Sequence, residues 1–404
     1  MTETNFKYTD LGLIPHDWEV KNIKDCFDFK QGVQCAVNLQ SLQQADGTVR
    51  FIRIVDLTQP DELPRYIADP GIVHHVKKED LFMVRYGSPG LVGYGYEGVI
   101  ANNLFRLLPK IDICSKLYKY ILADLHDEIV ALSSSSTMPA INFTALSSLQ
   151  FPLPPTLAEQ ERIAGALSSI DTLIGALTEQ IEKKRHIKQG TMQQLLTGKK
   201  RLAGFTGAWK EVVFGDVVGI YRGGSPRPIE NYLTTDPAGI NWIKIGDVGV
   251  DAKYIEHTAE KIIPEGISRS RKVYSGDFLL SNSMSFGRPY ILKIDGCIHD
   301  GWLVIQNYQD TFDREFLYYI LSSNAILLQY KALAAGSSVL NLNKDIVAKV
   351  QLTIPPTIDE QSAIAAVLSG MDTEIAALEQ KRDKYIAIKS GMMQNLLTGK
   401  IRLV

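Results

Sequence analysis

The sequence predicts an α+β protein built as a tandem repeat: two mixed α/β globular parts, each followed by one long helix. Two observations predict the helices, and a third predicts the globular parts. Residues 153–202 recur as residues 354–403 at a constant offset of 201, with 27 identities in 50 positions. Within that segment the apolar residues follow a 4-3-4-3 spacing, the seam of a coiled coil. Elsewhere, short alternating apolar runs are punctuated by Gly and Asn, the signature of strands and turns. The layout is therefore a first globular part over 1–150, a central helix over 151–205, a second globular part over 206–350 and a terminal helix over 351–404.

Each long helix is marked at both ends. Pro154-Pro155 and Pro355-Pro356 disfavour helix before them. Thr156 with Glu159, and Thr357 with Glu360, have capping-box spacing, in which hydroxyl and carboxylate both satisfy N–H groups of the first turn. Gly198 and Gly399 stand where a left-handed C-terminal cap is wanted. Some 40 residues between these marks rise ~60 Å at 1.5 Å per residue. The seam comprises Ile163, Leu167, Ile170, Ile174, Leu177 and Ile181 in the first copy, and Ile364, Leu368, Met371, Ile375 and Leu378 in the second. A helix this long cannot hide one stripe against a single globular part, so each helix is expected to pack on the other.

Before the helices the repeat weakens but keeps a frame. Trp18 and Gly32 are 14 residues apart, as are Trp209 and Gly223. Residues 51–56 resemble 242–247, residues 79–83 resemble 276–280, and residues 135–142 parallel 336–343. Residues 50–55, 80–84, 241–245 and 278–280 read as strands, and residues 116–131 and 313–334 as helices. Between these anchors the copies differ in residues and spacing. A fixed scaffold carrying two variable heads would look this way.

Bulk properties exclude more than they identify. Forty-three Lys and Arg against 45 Asp and Glu leave a net charge of −2, and only 151–205 is positive, with 8 basic against 5 acidic groups. A nucleic-acid binder usually carries a basic surplus, so composition does not point to one. No apolar run approaches the ~18 residues of a membrane helix, and the polar start is not a secretory signal. Cys26, Cys35, Cys114 and Cys297 lack CxxC spacing, which fits reduced thiols in a cytoplasmic protein rather than a disulfide or zinc framework.

Catalytic motifs are missing from the sequence. No Gly-rich cofactor loop opens a helix, no Asn/Asp-Pro-Pro-aromatic motif occurs, and no phosphate-binding Gly-Lys-Ser/Thr loop is present. Gly87, Gly90, Gly93, Gly95 and Gly98 read as turns. Glu182 and Lys184 belong to a charged helix face, and His74-His75 lacks metal-ligand spacing. No catalytic residue and no metal site is expected.

The Pro-Pro-x-x-x-Glu-Gln openings, the Ile-x-x-x-Leu-x-x-x-Asp continuation and the Leu-Leu-Thr-Gly-Lys endings resemble those of type I restriction–modification specificity subunits. The alternation of two unlike globular parts with two like helices is similar over the whole chain. The resemblance implies a non-catalytic recognition subunit. Two target-recognition domains would each read half of a split, asymmetric target in double-stranded DNA. The two helices would pack antiparallel, set the gap and dock two methyltransferase (modification) subunits, with restriction/translocase subunits joining them. It implies no cofactor on this chain: S-adenosylmethionine would bind the methyltransferase subunits, and ATP with Mg²⁺ the restriction subunits. Given the neutral charge, phosphate contacts would come from basic groups gathered on one face and from the partners. The alternative is a two-headed helical scaffold that binds proteins and no DNA.

Candidate DNA contacts are loops that mix Gly with cationic and amide side chains, since Gly lets the backbone approach and the side chains reach phosphates or base edges. In the first head these are Lys30, Gln31, Arg85, Tyr86, Ser88 and residues 133–137. In the second they are Arg222, Ser225, Arg227, Arg269, Arg271, Lys272, residues 281–283 with Asn282, and Arg288. Arg222 and Arg227, flanking a Gly-Gly-Ser-Pro turn, are the foremost pair.

Overall fold

The computed structural model describes residues 5–59, 61–133, 139–249, 252–282, 286–334 and 342–403. The chain divides into two units: unit 1 joins Met1–Thr178 to Gln380–Val404, and unit 2 is Glu179–Glu379. Each unit thus holds one head and one half of each long helix.

Both long helices span 39 residues, Leu157–Leu195 and Ile358–Leu396. Their starts differ from the expected capping boxes. The Thr156 and Thr357 hydroxyls do accept the N–H groups of Glu159 and Glu360, at 3.2 and 3.3 Å. The two carboxylates are instead engaged by arginines: Glu159 by Arg402 and Glu360 by Arg201. A guanidinium offers a paired, charge-assisted bond that a backbone N–H cannot match. At the other end, Gly198 and Gly399 both adopt φ 68°, the left-handed cap that glycine favours.

The same ion pairs give helix direction within each unit. In unit 1, Arg402 meets Glu159 at the start of the central helix, and Lys389 meets Asp171 further along it at 2.7 Å. In unit 2, Lys184 meets Glu374 at 2.6 Å, Lys188 meets Asp372, and Arg201 meets Glu360. Each rise along one helix is a descent along the other, so the helix segments of each unit run antiparallel.

The seam faces more than the other helix. Ile163 and Leu167 are fully buried in the unit 1 core together with Leu396 and Leu397, beside Trp18, Phe27 and Tyr118 of the head. Ile364 and Leu368 occupy the matching place in unit 2 with Leu195, Leu196, Phe214 and Phe316. The opening turns of each stripe therefore pack on a head and on the far end of the partner helix at once. Ile170, Leu177, Ile181 and Ile375 are also buried, whereas Ile174, Met371 and Leu378 are half-buried.

Each head is a helical layer on two main sheets, beside smaller two-stranded ones. In unit 1 one sheet has the order Phe27–Gln31, Leu104–Pro109, Leu81–Val84, Val92–Gly93, and the other Arg65–Ala68, Thr48–Ile52, Gly98–Ile100, His75–Val76. Unit 2 repeats both orders. Its first sheet runs Gly219–Arg222, Trp302–Gln306, Phe278–Ser281, Pro289–Leu292, with Tyr254–Ile255 added at one edge. Its second runs Glu260–Ile262, Ile240–Ile243, Gly296–Ile298, Arg271–Val273, with Leu233–Thr234 added at the other end. Even the parallel pair recurs, Val99 opposite Phe51 and Trp242 opposite Cys297.

Both faces of the first sheet are covered at Leu81–Val84 and Phe278–Ser281, which is why these strands are buried along their whole length. Leu81 and Met83 point to the helical core while Phe82 and Val84 point to the second sheet. Phe278 and Leu280 likewise separate from Leu279. That is the period-2 alternation of a strand buried on two sides.

Several expected elements end earlier than the sequence suggests. The strand expected over 50–55 stops at Ile52, because the Asp56 carboxylate takes the Arg53 N–H at 2.8 Å and turns the chain into a short helix. Asp247 does the same to Lys244 at 2.8 Å, so the likeness of 51–56 to 242–247 encodes a strand stop. The helix expected over 116–131 is two, Ser115–Asp124 and His126–Ala131, and that over 313–334 is Arg314–Leu321 and Asn324–Ala334.

The motif Gln and Asp residues fasten these head helices to the long ones. Gln160 accepts the Cys114 N–H and Gln361 the Asp313 N–H, both at 2.9 Å. Asp171 accepts from the Tyr120 hydroxyl and Asp372 from Tyr319, both at 2.7 Å. Burial first, and then these bonds to aspartate, raise the pKa of both phenols above the ordinary tyrosine value.

Gly32 and Gly223 mark where the chain crosses from one sheet to the other. A Cβ at Gly32 would lie 2.3 Å from the carbonyl oxygens of Ile100 and Ala101, and one at Gly223 would lie 2.1 Å from that of His299. Gly223→Ala is therefore expected to destabilise unit 2 by more than about 2 kcal/mol, since rigid backbone must move. Thermal melts of Gly223→Ala beside Gly249→Ala, where nothing lies within 4 Å, check this; equal melting temperatures would refute it.

Candidate nucleic-acid interface

The crossing loops bring the foremost sequence candidates together, and they do so on one backbone frame in both heads. In unit 1, Gly32 N–H donates to Leu104 O, Val33 N–H to Ile100 O, Arg85 N–H to Asn103 O, and Ile141 N–H to Arg85 O. In unit 2 the matching bonds are Gly223 to Trp302, Gly224 to Ile298, Asn282 to Gly301, and Leu342 to Asn282. All eight lie between 2.8 and 3.2 Å. Gln31 thereby corresponds to Arg222, Arg85 to Asn282, and Asn102 to Asp300. The backbone matches while every one of these side chains differs.

In unit 1 the Gln31 amide is held from both sides: Nε2 donates to Asn102 O at 2.6 Å and Oε1 accepts from Arg85 Nη1 at 2.9 Å. Arg85 also donates to Ile141 O at 3.3 Å and lies 4.6 Å from the Phe143 ring centroid. Tyr86 forms a β-bridge with Ala140, and the Ser88 hydroxyl donates to Gly87 O at 2.8 Å. Lys30 turns away from Gln31, its ammonium donating to Val73 O at 3.1 Å. Residues 134–137 lie outside the described residues.

In unit 2 the candidates converge on a residue the sequence did not suggest. Arg222 Nε and Asn282 Nδ2 donate to Asp300 O at 3.3 and 3.1 Å. The Asp300 carboxylate accepts from the Ser225 hydroxyl at 2.9 Å and Arg227 Nη2 at 3.3 Å, and lies 3.0 Å from His299 Nε2. Partial burial alone would raise the Asp300 pKa, but the Ser225 bond and the nearby His299 and Arg227 hold it below the ordinary carboxylate value. Arg271 stacks over Tyr221, 5.1 Å from its centroid. Lys272 stacks over Tyr274 and Arg269 over Tyr232, at 5.2 and 5.8 Å.

Arg288 is placed elsewhere. It lines an open groove of about 1300 Å³ together with Lys188, Lys253, Tyr318 and Asp372, facing the long-helix segments of unit 2. Ser283 lies outside the described residues.

Groups considered for chemistry have ordinary surroundings. Glu182 pairs with Arg185 and Lys184 with Glu374 on exposed helix faces, and His75 pairs with Asp69 at the surface. Among the described residues no cluster of three metal-ligating side chains occurs, and no helix is long and apolar enough to cross a membrane. All four cysteines are free thiols.

The family model of the type I restriction modification DNA specificity domain matches the chain twice, over residues 15–184 and 207–387. The type I restriction enzyme MjaVIII specificity subunit of Methanocaldococcus jannaschii is 24% identical over 99% of this chain and 97% of its own length. The putative MjaX specificity subunit of the same organism is 26% identical over the same shares. Among solved structures, the S subunit of a type I restriction–modification system from M. genitalium superposes with a TM-score of 0.62 at 15% identity, covering 96% of this chain and 97% of that one. The likeness to that structure is one of fold.

Proposed function

Because the chain belongs to the type I restriction–modification DNA specificity family, we propose that each of its two heads reads one half of a bipartite, asymmetric target in double-stranded DNA. The observation that carries this reading is the shared loop frame. Equivalent backbone positions hold Gln31, Arg85 and Asn102 in one head and Arg222, Asn282 and Asp300 in the other. Amides, guanidinium groups and carboxylates are the side chains that discriminate base edges in the major groove. Two unlike sets on one frame suit two different half-sites. A homodimeric reader, by contrast, presents the same set twice.

The chain is non-catalytic in this reading. Methyl transfer belongs to methyltransferase subunits carrying S-adenosylmethionine, which dock on the long helices. ATP and Mg²⁺ belong to restriction subunits. The chain's weak net charge fits a division in which those partners supply much of the phosphate contact.

Methylome sequencing of cells that express the chain with its methyltransferase tests this. A split, non-palindromic methylated motif is the expected result. A palindromic or unsplit motif would contradict the two-headed reading, and methylation without any sequence preference would favour a protein-binding scaffold.

A further inference from the structure

We propose that Gln31 and Arg222 are the equivalent base-reading residues of the two heads, and that they select different base pairs: A·T by Gln31 and G·C by Arg222. This rests on the assignment of the heads as DNA readers.

Both side chains occupy one place on the common frame. Each donates to the carbonyl oxygen of the equivalent residue, Gln31 to Asn102 O at 2.6 Å and Arg222 to Asp300 O at 3.3 Å. Both are exposed. Each therefore has a plane fixed by a tether and a polar edge open to solvent. A phosphate contact needs only charge, whereas bidentate reading of a base needs an oriented plane.

The edges presented are chemically unlike. With one N–H given to Asn102 and one lone pair given to Arg85, the Gln31 amide still has one N–H and one lone pair. That donor–acceptor pair complements N7 and N6 of adenine. Arg222 is exposed and tethered through Nε, and the N–H donors of its two Nη groups complement O6 and N7 of guanine. The Asp300 carboxylate beside it is an acceptor suited to the amino group of the paired cytosine. Arg85 and Asn282 act as positioning residues. Arg85 fixes the Gln31 amide and is itself held by Ile141 O and the Phe143 ring, and Asn282 bonds the carbonyl that tethers Arg222.

The test is Gln31→Arg in the full chain, co-expressed with its methyltransferase and read by methylome sequencing. At one base pair of one half-site, preference is expected to move from A·T to G·C by about tenfold or more, with the other half unchanged. Gln31→Ala, which cannot hold a new edge, should relax the same base pair toward no preference. An unchanged motif in both variants overturns the inference. So does equal loss of methylation at every sequence by a complex that still assembles, because that outcome marks a phosphate anchor or a structural residue. A parent complex without a split motif would instead remove the underlying assignment of the heads.

Discussion

Arg402→Ala is expected to cost unit 1 about 3–5 kcal/mol, the usual consequence of leaving a buried charge without its partner. The Glu159 side chain is only 2% exposed and takes two bonds from the Arg402 guanidinium. That guanidinium also grips Asp17 at 2.9 and 3.0 Å and lies 5.7 Å from the Trp18 ring centroid. One side chain thus closes the head start, the central helix start and the terminal helix end of unit 1. Arg201 plays the same part in unit 2 with Glu360 and Trp209. Hydrogen exchange read by peptide should show Arg402→Ala loosening residues 1–178 and 380–404, and Arg201→Ala loosening 179–379. Replacing Glu159 and Arg402 together by Leu and Met should cost much less than Arg402→Ala, since no buried charge is left unpaired and the Asp17 side chain, 54% exposed, stays solvated. If the double variant is the least stable, the orphan-charge explanation is wrong.

Exchanging residues 1–150 for those of another family member is expected to replace one half of the methylated motif completely and leave the other half unchanged. The joints that must survive are few. Trp18 must pack on Gly399, where an added Cβ would come within 3.2 Å of its ring; Asp17 must meet Arg402; the Cys114 N–H must reach Gln160; and the Tyr120 hydroxyl must reach Asp171. Donors that keep Asp, Trp, Tyr and a free backbone N–H at these places should assemble. Methylome sequencing of the chimera decides the matter, and a change in both halves would show that the heads do not read independently.

The sequence revealed the two long helices because their punctuation is local. Thr156 and Thr357 cap within three residues, and Gly198 and Gly399 close the same turn they terminate. The role of Glu159 was hidden because its partner is 243 residues away, and spacing alone made it look like a cap. The loop candidates Gln31, Arg222, Ser225 and Arg227 were visible as polar residues around glycine. Asp300 was not, because what makes it a hub is a set of bonds spanning 18 to 78 residues. Arg288 was a candidate as a cation beside a loop glycine, yet Gly287, at φ 75°, turns the chain and Arg288 lines the groove instead. Local chemistry was legible, and convergence through the sheets was not.

The Gln160 and Gln361 clamps have a practical corollary for handling the protein. Each joins head to helix through neutral amide–backbone bonds at buried side chains, which dissolved ions scarcely weaken. Phosphate contacts, by contrast, weaken steeply as salt rises. A high-salt wash should therefore strip nucleic acid from the chain while both head–helix joints stay closed, and the eluted material should bind again on dilution without refolding.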